Sequence, residues 1–104
     1  FFSLYKLKNI MILNLAYNRL DEYEFEFNSD FSLLNLENNN LRESGIKSSM
    51  FKNIRILNLN LNIIEVLKFE MFSQAFGVED LFLSQNRINF IENRTFSNMK
   101  ILSK

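Results

Sequence analysis

The chain has 104 residues, 47% of them hydrophobic, and its twelve basic and twelve acidic residues give a formal net charge of zero. This length suits one small domain, and the balanced charge argues against binding to nucleic acid or to anionic lipid. Because the chain contains no His and no Cys, zinc sites, thiolate or imidazole catalysis and disulfide frameworks are excluded. We therefore expect no cofactor and no enzymatic activity.

The start of the chain indicates what kind of segment it is. It begins with Phe1 and lacks the basic and apolar stretches of a signal peptide. No run approaches the roughly 18 apolar residues of a membrane span. We expect a fragment or processed piece of a longer protein, with no direct membrane contact by this segment.

A short motif recurs along the whole chain. Its centre reads Leu-Asn-Leu at residues 13–15, 34–36 and 57–59, and Leu-Phe-Leu at residues 81–83. An apolar residue stands three positions before the first Leu, an Asn stands three positions after the second, and an aliphatic residue follows two positions later. The unit is therefore LxxLxLxxNxL, with Ile, Val or Phe allowed at the Leu positions. Copies start at residues 10, 31, 54, 78 and 99, a spacing of 21 to 24 residues.

This unit resembles the leucine-rich repeat family. Segment 88–99 continues as LxxLxxxxFxxL and segment 64–72 as LxxLxxxxF, which resembles the 24-residue typical class that is commonest in extracellular and cell-surface proteins. The resemblance implies an α/β-type repeat solenoid: a curved array with short parallel strands on the concave face and mostly irregular or short helical convex segments. We predict one array over residues 1–104, without capping modules. Its repeats span 1–9 (partial), 10–30, 31–53, 54–77, 78–98 and 99–104 (partial).

The physical basis of the repeat is burial of its Leu face. Alternate strand residues point to opposite sides, so one repeat cannot bury its Leu residues alone, whereas stacked repeats bury them as a column. Phe residues recur before the next repeat and are predicted to form a buried aromatic spine: Phe51, Phe72 and Phe96. The recurring Asn is predicted to satisfy turn backbone groups, as a structural ladder of Asn18, Asn39, Asn62 and Asn86.

The register also predicts which side chains face outward on the concave side. The column before the Leu-x-Leu core is apolar in four of five repeats, and exposed apolar area often marks an interface. The partner-binding residues that we predict are Phe82, Asp80, Tyr17, Leu33, Ile56 and Glu37. Two alternatives remain, namely that β-branched residues simply suit strands or that another segment covers them. The middle column, Asn14, Asn35 and Asn58, is expected to bond amide to amide or to contact a ligand.

Two features belong to the convex side. Residues 69–76, which precede Gly77, are expected to form a short helical turn whose aromatic residues lie in the core. Asn93-Arg94-Thr95 is the one N-x-[ST] motif in the chain, which makes Asn93 a candidate glycosylation site.

We expect a non-catalytic protein-binding module that uses the concave face, within a cell-surface or secreted receptor or adhesion protein. Its partner would be a protein ligand or co-receptor. The alternatives are an intracellular, cytoplasmic scaffold or signalling adaptor of the same fold, and an array that only spaces a binding site located elsewhere. Because terminal repeats normally need polar caps, we also expect self-association through uncapped ends.

Overall fold

The computed structural model describes residues 12–14, 16, 33–100 and 102–103, and all structural statements refer to these residues. They form short strands linked by irregular segments. The strands are β1 (Ile12–Asn14), β2 (Leu33–Asn35), β3 (Ile56–Asn58), β4 (Val66–Leu67), β5 (Asp80–Phe82) and β6 (Phe90–Ile91). The helical segments are α1 (Phe69–Phe72) and two 3-10 helices, Glu43–Gly45 and Ser48–Phe51. None of these helices is long and apolar enough to cross a membrane.

Four of the strands form a parallel sheet in the order β1-β2-β3-β5. The pairing places Leu34 opposite Leu57 and Leu57 opposite Leu81, so equivalent residues of successive copies of the motif lie side by side. Parallel strands cannot be joined by a tight hairpin and need a crossover connection. The segments between the strands supply it, and we call them the return segments.

The core lies beneath this sheet. Leu34 and Leu57 in the strands, and Leu36 and Leu59 just after them, are completely buried. Burial of one such Leu contributes about 1.5–3 kcal/mol. Leu81 packs against this core but is only partly buried, because β5 is the last strand of the sheet in the described part of the chain.

The return segments pack through a row of Phe side chains. The ring centroids of Phe51 and Phe72 are 6.2 Å apart, and those of Phe72 and Phe96 are 5.9 Å apart. Aromatic pairs at these separations attract each other beyond simple area burial. Phe51 and Phe72 are fully buried. The aromatic spine predicted from the sequence is therefore present, although Phe96 is only partly buried.

The prediction for residues 69–76 was correct in part. Helix α1 begins at Phe69, and its residues Met71 and Phe72 are buried. Phe76, however, is 57% exposed, so the expectation that it lies in the core was wrong. The backbone turns after α1, where the N–H of Ala75 donates to the carbonyl of Phe72, and Ala75 takes the buried position. Phe76 is thereby directed to solvent.

The turn after each strand contains a residue with left-handed backbone. Asn38, Leu61 and Gln85 occupy equivalent positions and have φ values of 54°, 59° and 56°. This conformation is costly for side chains other than Gly, and least so for Asn. It lets the N–H of Asn38 donate to the carbonyl of Asn60, and the N–H of Leu61 to that of Ser84, at 3.0 Å each.

Candidate functional site

The outward side chains of the sheet form the surface on which the binding prediction rests. We define the strand face as Leu33, Asn35, Ile56, Asn58, Asp80 and Phe82. The register stacks them in two columns, because residue 33 pairs with 56 and residue 56 with 80, while residue 35 pairs with 58 and residue 58 with 82. Neighbouring strands lie about 4.8 Å apart. Each column is therefore continuous across three strands.

The first column changes character along the sheet. Leu33 and Ile56 are partly exposed, in contrast to the fully buried Leu34 and Leu57 beside them. Asp80, also partly exposed, is the third member. Two apolar side chains therefore lead to a carboxylate at the β5 end of the column.

Phe82 is the largest apolar side chain of the strand face. It is 39% exposed and stands where the two preceding strands carry Asn. A partly exposed aromatic side chain provides a rigid contact surface, and aromatic residues are favoured anchors in interfaces. Phe82 thus interrupts the Asn column with an apolar group.

The amides of the second column bind their own turns. The Oδ1 atoms of Asn14, Asn35 and Asn58 each accept the backbone N–H two residues later, at 3.0 Å. A short side chain reaches this N–H without strain, so the expected amide-to-amide ladder of this column was wrong. Within the described residues, the Nδ2 atoms of Asn35 and Asn58 donate to no protein group. They offer hydrogen-bond donors to whatever contacts the strand face.

A different set of Asn residues forms the ladder between turns. Asn62 Oδ1 accepts the N–H of Asn39 at 3.2 Å and that of Leu41 at 3.1 Å, and its Nδ2 donates to the carbonyls of Leu36 and Leu59 at 3.1 Å each. Asn62 is only 4% exposed. One amide thus joins its own turn to the turn of the preceding repeat.

The neighbouring ladder residues have equivalent contacts. Asn86 Oδ1 accepts the N–H of Ile64 at 3.1 Å, and its Nδ2 donates to the carbonyl of Leu59 at 2.9 Å. Asn39 Nδ2 donates to the carbonyl of Leu36 at 2.9 Å. These amides bind backbone groups of the turns, and Asn39 and Asn62 are buried, so the contacts fit the structural role predicted for the ladder.

The remaining predicted residues lie at the margin of the strand face or outside the described residues. Glu37 follows β2, is partly exposed, and donates its backbone N–H to Asn35 Oδ1. Tyr17 and Asn18 lie outside the described residues. No motif in the sequence indicated the link between Asn60 and Ser84, in which the N–H and the hydroxyl of Ser84 both donate to Asn60 Oδ1, at 2.6 and 2.9 Å.

A charged pair borders the strand face. Arg55, just before β3, forms an ion pair with Glu79, just before β5, at an Nε–Oε2 distance of 2.6 Å. The hydrogen bond to Glu79 raises the pKa of Arg55. The Arg55 side chain is 64% exposed, and exposed pairs contribute little to stability. The pair supplies charge at the rim rather than stability.

A concavity of about 680 Å³ lies on the return side between the 3-10 helices and α1. Its charged lining is balanced, with Glu43 and Glu70 against Lys47 and Lys68. Glu43 Oε1 accepts the N–H of Glu65 at 3.0 Å, and this hydrogen bond lowers the pKa of Glu43. Within the described residues, no group of three or more acidic, His or Cys side chains is placed to hold a metal ion.

The comparisons with known proteins point to one family. The leucine rich repeat family model matches residues 52–104, just over half of the chain, and this segment includes β3, β5 and the ladder residues Asn62 and Asn86. No curated protein and no solved structure was found to match. Repeats of this family are typically non-catalytic protein-interaction modules, and they occur in both extracellular and intracellular proteins. The chain belongs to the leucine-rich repeat family.

Proposed function

We propose that this chain is a segment of a curved leucine-rich repeat solenoid and binds a protein partner through its strand face, which would be the concave side of the array. The observation that carries the proposal is the composition of that face. Leu33, Ile56 and Phe82 remain partly exposed while the alternate Leu residues of the same strands are buried. Exposed apolar area in a folded protein often marks an interface.

The polar groups of the strand face support the same proposal. The free Nδ2 atoms of Asn35 and Asn58 lie beside Leu33 and Ile56 in the sheet. Protein interfaces combine an apolar centre with a limited number of hydrogen bonds at its edge. Because both amide oxygens are held by turn N–H groups, the amides are fixed in orientation and would meet acceptors on the partner at little entropic cost.

The partner that we propose is a protein ligand or co-receptor, and the setting is a cell-surface or secreted receptor or adhesion protein. The support for this setting is the LxxLxxxxFxxL pattern of segment 88–99 and the LxxLxxxxF pattern of segment 64–72, which resemble the typical class of extracellular repeats. The second candidate is an intracellular scaffold or signalling adaptor, since the family occurs in both settings.

In the experiment, the complete chain is displayed in multivalent form and tested for binding to a panel of purified ectodomains. A panel of purified cytosolic domains is tested in parallel. Any binder is then measured against Leu33→Ser, Ile56→Ser and Phe82→Ala. The matched controls are Lys68→Ala and Lys52→Ala, which alter exposed side chains of the return segments. We expect at least one strand-face variant to weaken binding by about tenfold or more, as for interface anchors, and the controls to change it little.

The outcome discriminates between surfaces and between settings. Loss of affinity in the control variants with full affinity in the strand-face variants would overturn the proposed surface. A partner found only in the cytosolic panel would favour the scaffold or adaptor instead of the receptor.

A further inference from the structure

The N-x-[ST] motif lies in the return segment after β6. The two residues that define it, Asn93 and Thr95, differ in their exposure to solvent. Asn93 is exposed, and its side chain has no hydrogen-bond partner among the described residues. Thr95 is only 3% exposed. The acceptor amide is therefore available to solvent, whereas the hydroxyl that completes the motif is not.

The Thr95 hydroxyl is used by the fold. Its Oγ1 donates to the carbonyl of Glu92 and lies 3.4 Å from that of Leu67 in the preceding repeat. The intervening Arg94 has a left-handed backbone, with φ of 61°, and its carbonyl accepts the N–H of Ser97 at 3.0 Å. Because the motif requires a hydroxyl two residues after the Asn, an enzyme that reads the motif must reach a group that folding buries.

We propose that Asn93 is an N-glycosylation site that is modified before repeat 78–98 packs against repeat 54–77, and that folding then closes the site to the transferase. In the reaction, the amide Nδ2 of Asn93 loses a proton and bonds to the anomeric carbon of an oligosaccharide carried on a polyisoprenyl diphosphate. The bond between that carbon and the diphosphate oxygen breaks, the lipid diphosphate leaves, and no group is oxidised or reduced.

The surroundings of Asn93 give the glycan a physical effect. Phe90 and Ile91, three and two residues earlier, are 58% and 54% exposed. Exposed apolar side chains favour association, and a bulky, solubilising glycan near these two would shield them from other molecules. β6 belongs to a different sheet from β5, so the glycan would stand apart from the strand face.

The first experiment tests modification in cells. The complete chain is fused to a secretory leader, produced in animal cells, and its mass is compared before and after enzymatic removal of N-linked glycans. We expect the mass of one glycan, no such mass in Asn93→Gln, and retention in Thr95→Ser, which keeps the hydroxyl. Chain recovered from the secretory pathway without a glycan would overturn the proposal.

The second experiment tests the order of modification and folding. A purified transferase and its lipid-linked oligosaccharide are given either the folded, unglycosylated chain or a synthetic peptide of residues 88–99, which cannot bury Thr95. We expect the folded chain to react on the order of tenfold more slowly, because it must first open locally. Equal rates would overturn the proposed order. The proposal rests on the secreted or cell-surface setting proposed above, but neither experiment depends on the partner proposed for the strand face.

Discussion

The two halves of each repeat differ in how strictly the structure repeats them. In the strand-and-turn half, β2, β3 and β5 pair in register, and each following turn has a left-handed residue at the same position. The return segments are less uniform: two 3-10 helices follow β2, whereas β4 after β3 and β6 after β5 pair in parallel, and α1 occurs only after β4. The difference teaches that hydrogen bonding across repeats fixes the strand-and-turn half throughout, whereas the backbone of the return segments varies while they still deliver apolar side chains to the core.

Backbone chemistry explains this contrast. Buried N–H and carbonyl groups must find partners, and in the turns those partners come from the neighbouring repeat, for example the amide of Asn62. Every turn must therefore have the same shape as its neighbours. In the return segments the common element is a side chain, the Phe of the spine, and different backbones can present it.

We expect the largest change in stability at the Phe position of the spine, which the return segments share. Phe72→Ala removes the ring that lies between Phe51 and Phe96 and is fully buried. We expect the free energy of unfolding to fall by about 3–5 kcal/mol, from lost burial and the cavity left behind. Urea denaturation followed by circular dichroism measures it.

Phe76→Ala is the matched control, because Phe76 is 57% exposed in the same segment. It is expected to change stability by no more than about 0.5 kcal/mol. Equal losses for the two variants would show that the spine does not hold the return segments.

Asn62→Ala tests how much the hydrogen bonds between turns contribute to stability. This change leaves the backbone N–H groups of Asn39 and Leu41 without their acceptor, and we expect a loss of about 1–3 kcal/mol. Asn40→Ala, at an exposed position of the preceding turn, is the control for the same denaturation measurement. Asn38 is unsuitable, because its φ of 54° favours Asn over Ala. A loss for Asn62→Ala no larger than that for Asn40→Ala would contradict the ladder.

The left-handed turn predicts a stabilising substitution. Gln85 is exposed and has φ of 56°, so Gln85→Gly is expected to raise the free energy of unfolding by about 1 kcal/mol through relief of strain. Arg87→Gly, at an exposed position without positive φ, is expected to lower it by about 0.5–1 kcal/mol. Thermal unfolding of both variants gives the comparison, and a loss in both would show that the turn is not strained.

The smallest expected effect is a pH dependence of stability, caused by Glu43 in the return segment after β2. The pKa of Glu43 is lowered from 4.5, chiefly by the hydrogen bond from the N–H of Glu65. A lowered folded-state pKa means that the stabilisation is present above the unfolded value and is lost as the pH falls through the folded value. We expect wild type to be slightly more stable than Glu43→Gln at neutral pH and the two to converge in acid. Melting temperatures across the pH range measure this, and a constant gap would refute it.

Much of the fold was predictable because it depends on the spacing of apolar residues in the repeated motif. The positions of Leu34 and Leu57 in the motif indicated the strands, their parallel register and the buried face, and the recurrence of Phe72 and Phe96 indicated the spine. The contacts of Asn35 and Asn58 were not predictable, because a free amide bonds equally well to another amide or to its own turn. The exposure of Phe76 depended on where α1 ends, which no spacing specifies.

The sequence by itself determined the repeat, and with it which residues must stack, because a period of 21 to 24 residues with a fixed Leu and Asn pattern is satisfied only when neighbouring copies cover each other's apolar faces. Only the tertiary structure decided which polar atoms remain free. The burial of the Thr95 hydroxyl and the left-handed backbone of Leu61 depend on groups in the adjacent repeat. The positions of those groups are set by packing between repeats, which the residues next to Thr95 or Leu61 in the chain do not specify.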